Sequence, residues 1–262
     1  MAQTDLWPGI GSRRMTKRSA EPWRGHLSLG AGWALVDGRA GENARHAHHA
    51  LQLCVAAEGK LRVEVASDEY AASAIAVGAD VPHRLVPGEG RVALLYLDPA
   101  SEAGRRVTGW LRGAAAREFA PPSAIDSDPE SLRELMLGSI LGSSPDAPSP
   151  DSRIELALRR LAAADLRARP ALATLARDAG LSPSRFAARF RASTGIAVRP
   201  YVLWLRLQRA VSAIRAGASA TEAAHAAGLA DSAHLSRTFR RMFGTTLSAS
   251  VARLAPADRR RG

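Results

Sequence analysis

Two groups of residues in this sequence of 262 residues have side chains and spacings that suit chemistry. The first lies in Ala220–Leu247, ATEAAHAAGLADSAHLSRTFRRMFGTTL. Leu235, Phe239 and Met242 fall at i, i+4 and i+7, an apolar helical stripe that must pack on something. The stripe leaves Ser232, Ala233, Ser236, Arg237 and Arg240 on the outward side. Small polar groups beside a guanidinium suit the base edges of a major groove, where Arg237 can grip guanine O6 and N7 with two donors. Arg240 and Arg241 suit phosphates, with a solvated basic face as the alternative. The second group is His46–Gly59, HAHHALQLCVAAEG, with GADVPH further on. His46, His48 and Gln52 share one parity along a strand, and His83 at a later strand end can join them. Imidazoles and an amide can hydrogen-bond an organic ligand, hold a metal, or serve as satisfied structural groups.

The first group needs helices to position it. Thr221–Ala227 reads as a short helix opened by Ser219 and Glu222, whose spacing is that of a capping box. Gly228 ends it in a left-handed turn, and Asp231 caps a second helix from Ser232. A second copy of this layout occupies Ala176–Ile196, ARDAGLSPSRFAARFRASTGI. Gly180 matches Gly228, Phe186 matches Leu235, Phe190 matches Phe239 and Gly195 matches Gly244, at an offset of 48 residues before the turn and 49 after it. Ser182 followed by Pro183 is a cap and a first-turn proline. With Phe186 and Phe190 turned inward, Ser184, Arg185, Ala187 and Ala188 face outward, and Arg191 suits a phosphate. Two alanines offer only apolar contact, so Arg185 carries most of the polar readout here, or this module mainly positions. Between the copies, Val198–Ala216 reads as a helix with a broad apolar face of Tyr201, Leu203, Leu205, Leu207, Val211 and Ile214, closed by Gly217. It spans about 28 Å, against about 34 Å for one duplex turn. Short helix, glycine turn and helix, twice over, is the layout of paired helix-turn-helix modules.

The paired modules resemble the DNA-binding domain of the AraC/XylS family of bacterial transcription regulators, over residues 152 to 255. The stretch AAHAAGLADSAHLSRTFRRMFGTT follows the family signature nearly throughout. Leu247-Ser248-Ala249 departs from it, because the family usually has a proline after the glycine. The resemblance implies double-stranded promoter or operator DNA as partner, RNA polymerase as a further partner if the protein activates, and base-contacting roles for the outward residues above. It also implies an N-terminal domain, often cupin-like, that senses small molecules.

Short apolar or alternating runs between Trp23 and Leu97 read as a small all-β barrel or sandwich: LSLGAGWALVD, ALQLCVAAEG, KLRVEVAS, YAASAIAV, HRLV and VALLYLD. His46, His48, Gly59 and the distant Pro82 and His83 resemble the cupin pattern, but Gln52 stands where a carboxylate ligand is usual. An amide oxygen is a neutral, weaker ligand. Three readings stay open: a metal site, a metal-free effector pocket lined by His46, His48, Gln52 and His83, and structural histidines. The resemblance favours the effector pocket, with no metal and no cofactor. Ala100–Gly113 and Pro129–Leu141 read as helices. Family members often dimerise through helices here, and Leu132, Leu135, Met136 and Ile140 would form the stripe of a homodimer, or simply cover the barrel.

The expected organisation is therefore an arm (1–22), a cupin-like domain with flanking helices (23–141), a Pro/Ser linker (142–151) and an all-α domain with two helix-turn-helix modules joined by a long helix (152–262). Charge is split between the halves: residues 152–262 carry +14 and residues 1–151 carry −3, within a total of +11. A basic excess confined to the helix-turn-helix half fits a polyanion partner. The lone Cys54 excludes an intramolecular disulfide and reads as a small buried hydrophobe. A basic start with no apolar core after it gives no signal peptide, and no apolar run reaches membrane-spanning length, so a cytoplasmic protein is expected. Residues 259–261, all arginine, read as a solvated tail.

The function expected is a sequence-specific transcription regulator under small-molecule control, not an enzyme. The rival is a cupin-type metal-dependent enzyme with a helical appendage, which leaves the repeat unexplained. A methyl-transferring repair protein would need an activated cysteine, and an apolar strand is a poor setting for one.

Overall fold

The computed structural model describes residues 23–30, 32–142, 151–168, 170–243, 246–250 and 254–256. The expected arm, Gly244, nearly all of the linker and the terminal arginines lie outside the described residues.

The N-terminal domain is built from β1 (Arg24–Gly30), β2 (Trp33–Arg39), β3 (Leu51–Ala56), β4 (Leu61–Val65), β5 (Asp68–Ala72), β6 (Ala74–Val77), β7 (His83–Val86) and β8 (Arg91–Leu97). Helix α1 (Glu102–Leu111), a short β9 (Ala116–Glu118) and α2 (Pro129–Leu141) complete it. The C-terminal domain holds α3 (Ser152–Ala163), α4 (Leu172–Asp178), α5 (Pro183–Thr194), α6 (Val198–Arg215), α7 (Ala220–Ala226), α8 (Ser232–Phe243) and α9 (Leu247–Ser250). The chain returns as β10 (Leu254–Pro256), parallel to β1.

The strands form two sheets, one of order β10-β1-β2-β8-β3-β6-β9 and a smaller one of order β5-β4-β7. The stretch YAASAIAV, expected as one strand, breaks at Ser73: its first half joins the small sheet and its second half the large one. Period-2 alternation sorts the large sheet into two buried faces. Cys54, Ile75 and Leu94 point into the barrel with Val63, Val65 and Leu85 of the small sheet. Leu51, Leu53, Val55, Ala93, Leu95 and Leu97 point outward beneath α1 and α2. This double burial is why β3 reads as an unbroken apolar run rather than an alternating one. Leu132, Met136 and Ile140 are buried against that outer face. Three of the four residues offered for a homodimer stripe thus cover the sheet, while Leu135 is half-buried outside that cluster.

The helices end where the local signals put them. Asp128 caps α2 by accepting from the Glu130 and Ser131 N–H groups, with Pro129 in the first turn. Ser182 caps α5 with Pro183 behind it, and Gly195 closes that helix at φ +80°. The capping box of α7 is present in both directions: Ser219 N–H donates to Glu222 Oε2 at 2.8 Å, and Glu222 N–H donates to Ser219 Oγ at 3.2 Å. The two modules differ in what they pack on. The first has its own core of Ile154, Leu161, Phe186, Phe190 and Val202. The second shares one continuous apolar cluster with the barrel interior, in which Leu207, Leu235 and Phe239 join Trp23, Val36 and Leu94.

Candidate functional site

The two helix-turn-helix modules sit on either side of α6. In each, a glycine between the helices takes a left-handed conformation, Gly180 at φ +63° and Gly228 at φ +76°. Phe186 and Phe190 anchor α5 from beneath, and Leu235 and Phe239 do the same for α8. The outward residues then follow from helical geometry. Ser184, Arg185, Ala188 and Arg191 are exposed on α5, with Ala187 half-buried; Ala233, Ser236, Arg237 and Arg240 are exposed on α8, with Ser232 half-buried. Asp231 caps α8 by accepting from the His234 N–H.

Charge pairing separates these arginines from others in the same domain. Arg153 and Arg189 bind Asp151, Arg159 binds Glu155, Arg160 binds Asp178 and Arg167 binds Asp165. The pair of arginines holds the Asp151 carboxyl well below the usual carboxylate range, and Arg167 holds Asp165 at about 2. Arg185, Arg191, Arg237 and Arg240 have no ion-pair partner among the described residues. Their charge is free for a polyanion.

The histidine group also comes together. His46 lies in a loop and bridges to His83, the first residue of β7, through paired backbone hydrogen bonds. His48 follows in the same loop, and Gln52 points inward from β3. Gln52 Oε1 lies 2.9 Å from His48 Nε2 and 3.0 Å from His83 Nε2, while Gln52 Nε2 donates to Cys54 Sγ at 3.2 Å. Burial, helped by the neighbouring imidazoles, lowers His46 to about 4 and His48 well below its ordinary value; burial also lowers His83. Burial pushes the Cys54 thiol up to about 12, so it is no nucleophile at neutral pH. Tyr96 and Phe243 close the cluster on one side, with ring centroids 5.3 and 5.7 Å from that of His48.

Next to that wall lies a feature the sequence reading missed, a cavity of about 540 Å³ between the domains. The barrel contributes Trp23, Leu27, Trp33, Ala34, Tyr96 and Asp98; α6 contributes Tyr201, Trp204, Leu205 and Gln208; α8 contributes Phe239 and Phe243. None of His46, His48, Gln52 and His83 lines it. The indole N–H groups of Trp23 and Trp204 are buried without a hydrogen-bond partner among the described residues. Burial raises the Asp98 carboxyl, which accepts from the Ala100 N–H at 2.8 Å and from the Tyr201 hydroxyl at 3.2 Å. The available signal was the concentration of tryptophan: three of the five in the chain line this one cavity.

Comparison with known proteins agrees with this architecture. A family model described as a helix-turn-helix domain matches residues 175–253, from within α4 to beyond α9. The whole chain is similar in fold to ToxT from Vibrio cholerae: 11% identity, 86% of this chain and 99% of that one covered, TM-score 0.56. Another ToxT structure, unsaturated fatty acid bound, gives 9% identity, 84% and 94% coverage and a TM-score of 0.52. The DNA-binding domain of AdpA, a global transcriptional factor solved in complex with a target DNA, is 31% identical over 38% of this chain and 88% of that one, with a TM-score of 0.30. No curated protein sequence matches the chain significantly. No helix among the described residues is long and apolar enough to cross a membrane. Residues 175–253 are thus a helix-turn-helix domain of the AraC type, set behind a barrel domain in a fold similar to that of ToxT.

Proposed function

We propose that this regulator reads its operator with the outer faces of α5 and α8 and is controlled by an apolar small molecule held in the cavity between its domains. On α8, Ser232, Ala233, Ser236 and Arg237 meet base edges and Arg240 meets phosphate. On α5, Ser184, Arg185, Ala187 and Ala188 face the groove and Arg191 meets phosphate. The support for this division is exposure above buried anchors, together with arginines that lack an acidic partner among the described residues.

The observation that carries ligand control is that the cavity walls come from both domains, including α6 and α8. A molecule bound there touches the barrel and the second recognition helix at once, so it has different contacts in any arrangement that separates them. The walls are largely aromatic and aliphatic, and Gln208 and Ser212 of α6 offer donors there to an acceptor oxygen on the ligand. An apolar chain or ring system bearing a carbonyl or carboxyl oxygen meets both demands. ToxT, similar in fold, has been solved with an unsaturated fatty acid and with (E)-4-(8-methylnaphthalen-1-yl)but-3-enoic acid, both of this description.

The test uses the full-length protein and a DNA site selected from random sequence. Titrating an unsaturated fatty acid should change the emission of the wall tryptophans saturably and shift DNA affinity over the same concentration range. Ala34→Trp, which fills the cavity from β2, should abolish both responses. Emission that saturates while DNA affinity stays constant would leave a ligand site without a regulatory role and defeat the proposal.

A further inference from the structure

Where the first turns of α1 face α2, a cleft of about 580 Å³ opens over the start of β2. Trp33, Leu97, Leu137 and Leu141 give it apolar walls. The Trp33 indole packs on Gly30, where a Cβ would come within 2.2 Å of the ring, and the Arg133 guanidinium carbon lies 5.5 Å from an indole centroid. The cleft is distinct from the cavity between the domains, although Gly32 and Trp33 stand in the wall of both.

The charges in the cleft are balanced, Arg106 and Arg133 against Glu102 and Glu134. Arg133 is engaged, by Glu130 at 3.1 Å and by Glu134 at 3.4 Å. Glu102 and Arg106 stand one turn apart on α1, the spacing at which a glutamate and an arginine ordinarily pair. They do not pair: Arg106 Nη2 donates instead to the Leu141 carbonyl at the end of α2, 3.4 Å away. Neither has an ion-pair partner among the described residues. Gly138 adds a third observation. Glycine inside a helix is destabilising relative to alanine, and a Cβ here would meet nothing within 4 Å. No close backbone approach demands glycine at this position; its missing side chain keeps the cleft wide.

We propose that the cleft binds a zwitterionic α-amino acid with an apolar side chain. Arg106, backed by Arg133, takes the carboxylate, Glu102 takes the ammonium, and Trp33, Leu137 and Leu141 receive the side chain. The charges favour a zwitterion over a simple ion. A carboxylate alone faces Glu102 without a counter-charge, and an amine alone faces Arg106 in the same way. The volume lies within the range of small-molecule sites.

The experiment is calorimetric titration of the full-length protein with L-phenylalanine, and with hydrocinnamate and phenethylamine, which lack its amine and its carboxylate. Repeating it on Ala34→Trp, which fills the cavity between the domains, keeps that site out of the measurement. Phenylalanine should bind once per chain in both proteins, and each analogue at least tenfold more weakly. Glu102→Gln and Arg106→Gln should each weaken phenylalanine binding at least tenfold. Gly138→Leu, which fills the cleft, should abolish it without lowering the urea midpoint, because leucine is the better helix former. Arg106 also holds the end of α2, whereas Glu102 is exposed, so the Glu102 variant keeps the test decisive if Arg106→Gln does not fold. Lack of saturable binding overturns the proposal and leaves the charges as a solvated rim. Either analogue binding Ala34→Trp as tightly as phenylalanine does overturns it in favour of a site for a single charge. Binding that Glu102→Gln and Gly138→Leu leave unchanged places the amino acid elsewhere and overturns it too.

Discussion

Tyr201 donates its hydroxyl to Asp98 Oδ2 at 3.2 Å, joining the helix between the two modules to the end of β8 across 103 residues of sequence. Both groups are buried, and both line the cavity between the domains. Burial raises Asp98 above its ordinary 3.8, while the Ala100 N–H, His49 and the Tyr201 hydroxyl pull it partly back. For a carboxyl raised in the folded state, the folded chain holds the proton more tightly than the unfolded one. Its stabilising contribution is therefore complete below pH 3.8 and is lost as pH rises through the raised value. Asp98→Asn should remove that loss while keeping an oxygen for Tyr201. Urea midpoints of both proteins across this range, taken as a difference, isolate it from Asp151 and Asp165, which are lowered and act with the opposite sign. A difference that does not change with pH would show that Asp98 ionises as freely in the folded chain as in the unfolded one.

Base edges differ and phosphates do not, so substitutions on α8 and α5 should have different signatures. Arg237→Ala should cost about 1–3 kcal/mol at one or two operator positions and relax the preference there. Arg191→Ala should weaken all sequences alike and lower the salt slope by about one unit. Affinities across a panel of single-base operator variants measure both. An Arg237→Ala protein that binds every variant more weakly with the ranking intact would move Arg237 to the backbone.

The turn glycines of the two modules should respond differently to the same change. A Cβ on Gly228 would lie 2.3 Å from the carbonyl oxygen of Leu166, on top of a φ of +76°. At Gly180, φ is +63° but nothing lies within 4 Å. Gly180→Ala should cost about 1 kcal/mol from the backbone alone, and Gly228→Ala about 2–4 kcal/mol because the Leu166 backbone must also move. Equal shifts in unfolding midpoint would mean that the second module relaxes freely around its turn.

Cys54 is fully buried, and burial holds its thiol at about 12. A thiol reagent at pH 8 should therefore modify the folded chain only as fast as the barrel opens, and the unfolded chain within seconds to minutes. Rapid modification under native conditions, with the fold intact by circular dichroism, would place the thiol within reach of solvent.

What was legible in the sequence is what neighbouring residues decide among themselves. The Ser219–Glu222 capping box, the Ser182-Pro183 start, the glycine turns and the apolar stripes of α5 and α8 each act within a few residues, and all appear as read. The strands were legible as apolar runs, but pairing was not. Nothing local distinguishes the halves of YAASAIAV, which part at Ser73 because each finds a different neighbour. Nor does α2 announce whether Leu132, Met136 and Ile140 face a second chain or the sheet beneath them; only the bare outer face of β3 and β8 decides that. Parity along a strand put His46, His48 and Gln52 together, although the two histidines lie in a loop before β3 and reach Gln52 through the bridge to His83. Beyond its tryptophans the cavity left no local trace, because its walls belong to segments more than a hundred residues apart. Trp23 and Trp33 meet Trp204 only when the barrel packs on α6, and that contact depends on the complementary shapes of two assembled domains.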